Sequence, residues 1–141
     1  MASDAALTDL LRRVKTIAVV GIKSGEDEDA FRVPRYLQQQ GYRILPVLPK
    51  LERVLGERCV ASLAALDETP DLVNLFRASA HVPAHAAEIL ALHRRPIGVW
   101  MQLGISSREA REKLEAAGIL VVEDSCLMVE HARLFGKPPA H

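Results

Sequence analysis

Residues 16–25 read TIAVVGIKSG. A run of apolar, largely β-branched residues breaks at Gly21, and Gly25 follows four residues later. The run is too uniformly apolar for a strand with one wet face, so it predicts a strand covered on both sides. A glycine at its end lets the backbone turn tightly before a helix, as in a nucleotide-binding turn. The pattern departs from G-x-G-x-x-G, because Lys23 stands where the second glycine belongs. From these residues alone, a plain strand end and a phosphate turn fit equally.

Outward from this turn the chain alternates strands and helices. Ser3 and Asp4 cap a first short helix to about Val14, with Leu7, Leu10, Leu11 and Val14 on one face. Residues 17–20 form the first strand. A polar loop, 23–29, leads to an amphipathic helix from about Ala30 to Gln40, which Gly41 ends in the left-handed conformation. Residues 42–47 form a second strand, and Pro46 with Pro49 forces an extended exit. Residues 51–69 are harder to read, apart from a short helix at 63–66. A third strand at 71–76 precedes a helix at about 82–93, with Pro83 in its first turn. Residues 97–101 form the fourth strand. Ser106 and Glu109 read as a capping box for a helix that stops at Gly118. A fifth strand, 119–122, and a last helix, about 127–133, complete the series. The fold class predicted is α/β: a three-layer Rossmann-like fold with a five-stranded parallel sheet, order 3-2-1-4-5, and helices on both faces. The chain is expected to form one domain, 1–141, with its core at 16–131 and a frayed tail at 136–141.

Composition narrows the function. The 141 residues carry 18 basic and 18 acidic side chains, so the net charge is zero. That balance argues against a general nucleic-acid binder, and any basic patch must be local. One Trp, two Tyr and three Phe are too few to favour base stacking along a strand. No run approaches the length of a membrane span, and the N-terminus lacks the apolar core of a signal peptide. Cys59 and Cys126 match no C-x-x-C spacing and read as free thiols. The expectation is a soluble cytoplasmic protein with neither nucleic acid nor membrane as a partner.

In such sheets ligands lie beyond the carboxyl ends of the strands at the point where the order reverses, here expected between strands one and four. Four segments converge there: 21–29, 46–50, 76–83 and 101–106. The second is the most informative. A typical NAD site places an Asp or Glu after strand two to bind the ribose hydroxyls. Residues 46–50 read PVLPK, with no acid at the strand end and Lys50 following. A lysine there suits a phosphorylated ribose, or is simply a solvated loop residue. Phe76 at the third strand's end suits the side of an adenine and Arg77 a phosphate, against the plainer readings of core Phe and surface Arg. Trp100 or Gln102 comes near the crevice at the end of strand four. The acidic run Glu26, Asp27, Glu28 and Asp29 would repel a phosphate unless it faces solvent.

His81 and His85 share i,i+4 spacing, yet no H-E-x-x-H motif exists, and His131 follows Cys126 at a spacing that does not face them together. There is no G-x-S-x-G and no P-loop. No catalytic residue and no metal ligand is assigned.

The set of segments IAVVG (17–21), FRVPRYLQQQGYRILPVLPK (31–50), LGERCVASLAAL (55–66), VNLFRASAHVP (73–83), IGVWMQLGI (97–105) and DSCLMVEH (124–131) resembles the small stand-alone CoA-binding proteins. Those are single Rossmann-like domains similar to the CoA-binding domain of the succinyl-CoA ligase alpha subunit. The resemblance covers about residues 16–131 and implies coenzyme A or an acyl-CoA as ligand. It places Gly21, Ile22, Lys23 and Ser24 beside the pyrophosphate, with Arg32 as the basic residue at the helix start. Pro46, Val47, Pro49 and Lys50 border the adenosine phosphate end, Phe76, Arg77 and Ser79 form the far wall, and Gln102 lies near the pantetheine. Two positions depart from the family pattern. Ile22 and Lys23 replace a serine-containing turn, and Leu48 replaces the asparagine of Asn-Pro-Lys.

The implied function is non-catalytic CoA binding, as a sensor or carrier module that partners a second copy of the chain or an enzyme of acyl-CoA chemistry. An NAD(P)-binding oxidoreductase or redox regulator is the alternative, weakened by the absent acid after strand two. A third reading is an interaction domain whose site stays empty.

Overall fold

In the computed structural model, residues 2–136 are described. The tail expected to fray lies, beyond Gly136, outside the described residues. Five helices, α1 (Asp4–Arg13), α2 (Asp29–Gln39), α3 (Val82–Leu90), α4 (Arg108–Ala116) and α5 (Leu127–Phe135), surround a parallel sheet. Its strands are β1 (Thr16–Val20), β2 (Arg43–Val47), β5 (Leu72–Leu75), β6 (Gly98–Met101) and β7 (Leu120–Val122). A small antiparallel hairpin, β3 (Arg53–Val54) and β4 (Glu57–Arg58), and a 3-10 turn (Leu63–Ala65) fill the stretch that the sequence left unread.

Every residue of β1 is buried, as a strand with helices on both faces requires. Alternation then sorts the core into two layers. Ile17, Val19, Ile44, Leu72 and Trp100 pack under α1, α2 and α5. Ala18, Val20, Leu45, Val73, Leu75, Val99 and Met101 pack under α3, α4 and the 3-10 turn. The three-layer Rossmann-like α/β architecture is the one expected.

The strand order is not. The sheet runs β2-β1-β5-β6-β7, so the third main strand pairs directly with the first, from Ile17 opposite Leu72 to Val20 opposite Leu75. The order 3-2-1-4-5 is thus corrected to 2-1-3-4-5. Pro46 supplies the physical reason. Arg43 donates its N–H to Lys15, and the Val47 carbonyl accepts from Gly21, so these positions turn their backbone groups toward β1. By alternation residue 46 faces the other way, and a proline there has no N–H to give a further strand. β2 is therefore an edge. Among the described residues its outer side is met by the return from the hairpin, where Val60 donates to the Pro46 carbonyl (3.1 Å) and Leu48 to the Val60 carbonyl (2.8 Å). The reversal point moves accordingly, from between strands one and four to between β1 and β5.

A second correction is local. Ser107, not Ser106, caps α4, its hydroxyl accepting from the Ala110 N–H. Ser106 instead donates its N–H to the Ser79 hydroxyl (3.1 Å).

Candidate functional site

The ends of β1, β2 and β5 meet at Gly21. Its N–H donates to the Val47 carbonyl (3.0 Å), and the Phe76 N–H donates to the Val20 carbonyl beside it (2.9 Å). Gly21 has φ +85°, and a Cβ there would stand 2.6 Å from the Phe76 carbonyl oxygen and 3.2 Å from Arg77 Cδ. Only glycine fits between the two strand ends at that φ.

Beyond this junction opens a cleft of about 180 Å³. Val20, Val47, Leu48, Pro49 and Leu63 give it apolar walls. Its polar lining comes from Ser62, Arg77 and two residues of α3, His85 and Glu88. His85 Nδ1 lies 2.7 Å from Glu88 Oε1. Two side-chain nitrogens here, Arg77 Nε and His85 Nε2, are shielded from solvent and have no hydrogen-bond partner. Leaving such an atom unpaired costs on the order of 1–3 kcal/mol, and ligand sites are where proteins tolerate that cost.

The structure gathers some of the expected site residues and disperses others. Gly21, Val47, Pro49 and Arg77 line the cleft, and Lys50 is exposed one residue beyond Pro49. Ile22 is fully buried in the core. Lys23 and Ser24 are exposed, and the Lys23 ammonium pairs with Glu28 (3.1 Å). Arg32 pairs with Asp29 (3.3 Å). The acidic run thus meets its own loop's bases, while Glu26 and Asp27 face solvent. Pro46 is buried in the sheet edge. Phe76 is half-buried against the helical core, and the Ser79 hydroxyl is engaged by Ser106. Gln102 is 4% exposed, and its Oε1 accepts from the Leu127 N–H (2.9 Å) and from Asn74 (3.3 Å). It caps the start of α5 and does not line the cleft. Trp100 is likewise core, its indole N–H donating to the Ser125 carbonyl (2.8 Å).

Sequence reasoning missed Ser62, Leu63, His85 and Glu88 as lining residues. The i,i+3 spacing of His85 and Glu88 is visible in the sequence, but that this part of α3 borders the end of β2 is shown by the structure. His131 is buried between α2 and α5, bonded to the Tyr36 hydroxyl (2.9 Å) and stacked on Phe135. Cys59 and Cys126 are both free, and burial pushes the Cys59 thiol above its ordinary pKa. No group of three or more His, Cys, Asp or Glu side chains placed to hold a metal occurs among the described residues. No helix among them is long and apolar enough to cross a membrane.

A family profile described as a CoA binding domain matches residues 15–132. The chain belongs to that family. Among its relatives is an uncharacterized Bacillus subtilis (strain 168) protein, YneT, 38% identical over 130 residues that make up 92% of this chain and 95% of the relative. The structure of cell-free ID.343 from Thermus thermophilus is 46% identical, with a TM-score of 0.89 over 95% of this chain and 100% of the other. A hypothetical protein from Pyrococcus horikoshii OT3 is 33% identical, with a TM-score of 0.90 over 96% of this chain and 94% of the other. The cleft's residues fit the family's ligand. Its apolar walls suit a nucleoside, and Arg77 brings an unpaired donor on a cationic group, as a phosphate requires.

Proposed function

We propose that this protein binds coenzyme A or an acyl-CoA in the cleft beyond β1, β2 and β5. It acts as a non-catalytic sensor or carrier module, a single cytoplasmic domain akin to the CoA-binding domain of the succinyl-CoA ligase alpha subunit. The observation that carries this reading is Arg77 Nε, buried and unpartnered on a residue that lines a largely apolar cleft, in a chain of the CoA-binding family. Arg77 holds a phosphate, and Lys50 lies where it meets the 3′-phosphate of the ribose. The Gly21–Ser24 turn and Arg32 flank the pyrophosphate. Val47, Leu48, Pro49 and Leu63 cover the nucleoside. Handing the thioester end to a second copy of the chain or to an acyl-CoA enzyme requires only that this end project from the cleft.

Calorimetric titration with CoA, acetyl-CoA, NAD and NADP tests the reading on one preparation. CoA should bind and the nicotinamide nucleotides should not; heat with NADP and none with CoA rejects it. Lys50→Ala should weaken CoA more than dephospho-CoA, and equal losses for both would remove Lys50 from the 3′-phosphate.

A further inference from the structure

We infer that His85 is a specificity-determining residue of the cleft, accepting a hydrogen bond from the exocyclic amino group of an adenine-type base. The inference rests on the CoA reading for the ligand's orientation, and on the α3 pair for its chemistry. Val82, Ala86 and Ile89 anchor α3 in the core, which leaves His85 and Glu88 on the shoulder of the helix that borders the cleft. A carboxylate only accepts, so the 2.7 Å contact between Glu88 Oε1 and His85 Nδ1 places the imidazole proton on Nδ1. In the neutral ring Nε2 is then an acceptor. It is buried, without a partner, and the side chain is only 16% exposed.

The complementary ligand group is an N–H donor carried on a flat apolar body. The walls of Val47, Leu48, Pro49 and Leu63 take such a body, and the 6-amino group of adenine is such a donor. Lys50 follows Pro49 directly, so a ribose phosphate held by Lys50 brings its own base toward this end of the cleft. Replacing the amine by a carbonyl oxygen, as in hypoxanthine, would set two acceptors against each other. Glu88 is a positioning residue: it touches no ligand and fixes which ring nitrogen carries the proton.

Titration with adenosine 3′,5′-bisphosphate and inosine 3′,5′-bisphosphate reads this directly. The wild-type protein should prefer the adenosine compound by about tenfold or more. His85→Leu should lose that preference by weakening the adenosine compound alone. Glu88→Gln, whose amide oxygen still accepts from Nδ1–H, should keep it, whereas Glu88→Leu should reduce it. Imidazole ¹⁵N shifts of the wild-type protein, recorded at a pH where the ring is neutral, should report the proton on Nδ1, a reading independent of any variant's folding. Equal affinity of wild type for the two bisphosphates, the opposite tautomer, or equal weakening of both by His85→Leu overturns the inference. CoA binding without base discrimination leaves the CoA reading standing and this one rejected. Base discrimination by the bisphosphates with no binding of CoA does the reverse.

Discussion

The backbone N–H of Lys23 donates to the carbonyl of Ala30 across 3.2 Å. In an uninterrupted helix that carbonyl would accept from residue 34, but position 34 of α2 is proline and has no N–H. The helix therefore offers a free acceptor to the loop that follows β1. With the Gly21 N–H given to Val47 as well, two amides of the turn are committed within the protein. An anion bound there depends correspondingly more on side chains such as Arg77.

Pro34→Ala restores an N–H that competes with Lys23 for the Ala30 carbonyl. Amide exchange at Lys23 should accelerate, while global stability should hold or rise, since proline is unfavourable inside a helix. Hydrogen exchange followed by NMR separates the two effects. Unchanged protection at Lys23 would show that the loop is held by other contacts, including the Lys23–Glu28 ion pair.

Gly21 and Gly41 both have positive φ, +85° and +102°, but a Cβ at Gly41 would meet nothing within 4 Å. Gly41→Ala thus tests strain alone and should cost about 1 kcal/mol. Gly21→Ala adds overlap with the Phe76 carbonyl and should cost roughly 2–3 kcal/mol, with weaker CoA binding because the β1 and β5 ends are forced apart. Urea denaturation of the pair decides it; equal losses would mean that the Phe76 backbone yields freely.

The apolar runs and their spacing were enough to read the layers and nearly every element of the fold, because burial on both faces leaves a continuous hydrophobic signature. The strand order was also written in the sequence, at a single residue. Pro46 inside an otherwise ordinary strand marks an edge, and taking it only as an exit signal allowed a third strand to be set outside β2. The hairpin at 53–58 was hidden for a different reason. Its turn places Leu55 at φ 54° before Gly56 at φ 77°, where Asn or Asp is the usual sign. The lining of the candidate cleft was legible where strand ends set it, at Gly21, Val47, Pro49 and Arg77. His85 and Glu88 were not, because their place depends on where in the sheet the strands joined by α3 lie.

Gln102 separates packing from binding. Gln102→Leu leaves the Leu127 N–H without its acceptor and removes a partner of the Asn74 amide, both in buried surroundings. Stability should fall by roughly 1–3 kcal/mol, with CoA affinity changed less than about twofold. A large loss of CoA affinity in a protein of unchanged stability would instead place Gln102 against the ligand.

Tyr42 should make the fold sensitive to alkali. Its hydroxyl donates to the Leu11 carbonyl (2.7 Å), tying the start of β2 to α1. Burial, with a smaller contribution from the neighbouring Tyr36, pushes its pKa up from the ordinary 10 to about 12. Only the protonated phenol can donate that bond. The folded chain therefore keeps a proton that the unfolded chain loses near pH 10. The stabilisation is complete below pH 10 and is lost as the pH rises toward 12. A two-unit difference bounds the effect at about 2.7 kcal/mol. Denaturant titrations from pH 8 to 12 should show this decline, and Tyr42→Phe should flatten most of it while costing about 1 kcal/mol at neutral pH. Part of the slope should persist in the variant, because burial also raises Tyr36. An unaltered slope in Tyr42→Phe would assign the alkaline transition to groups other than this phenol.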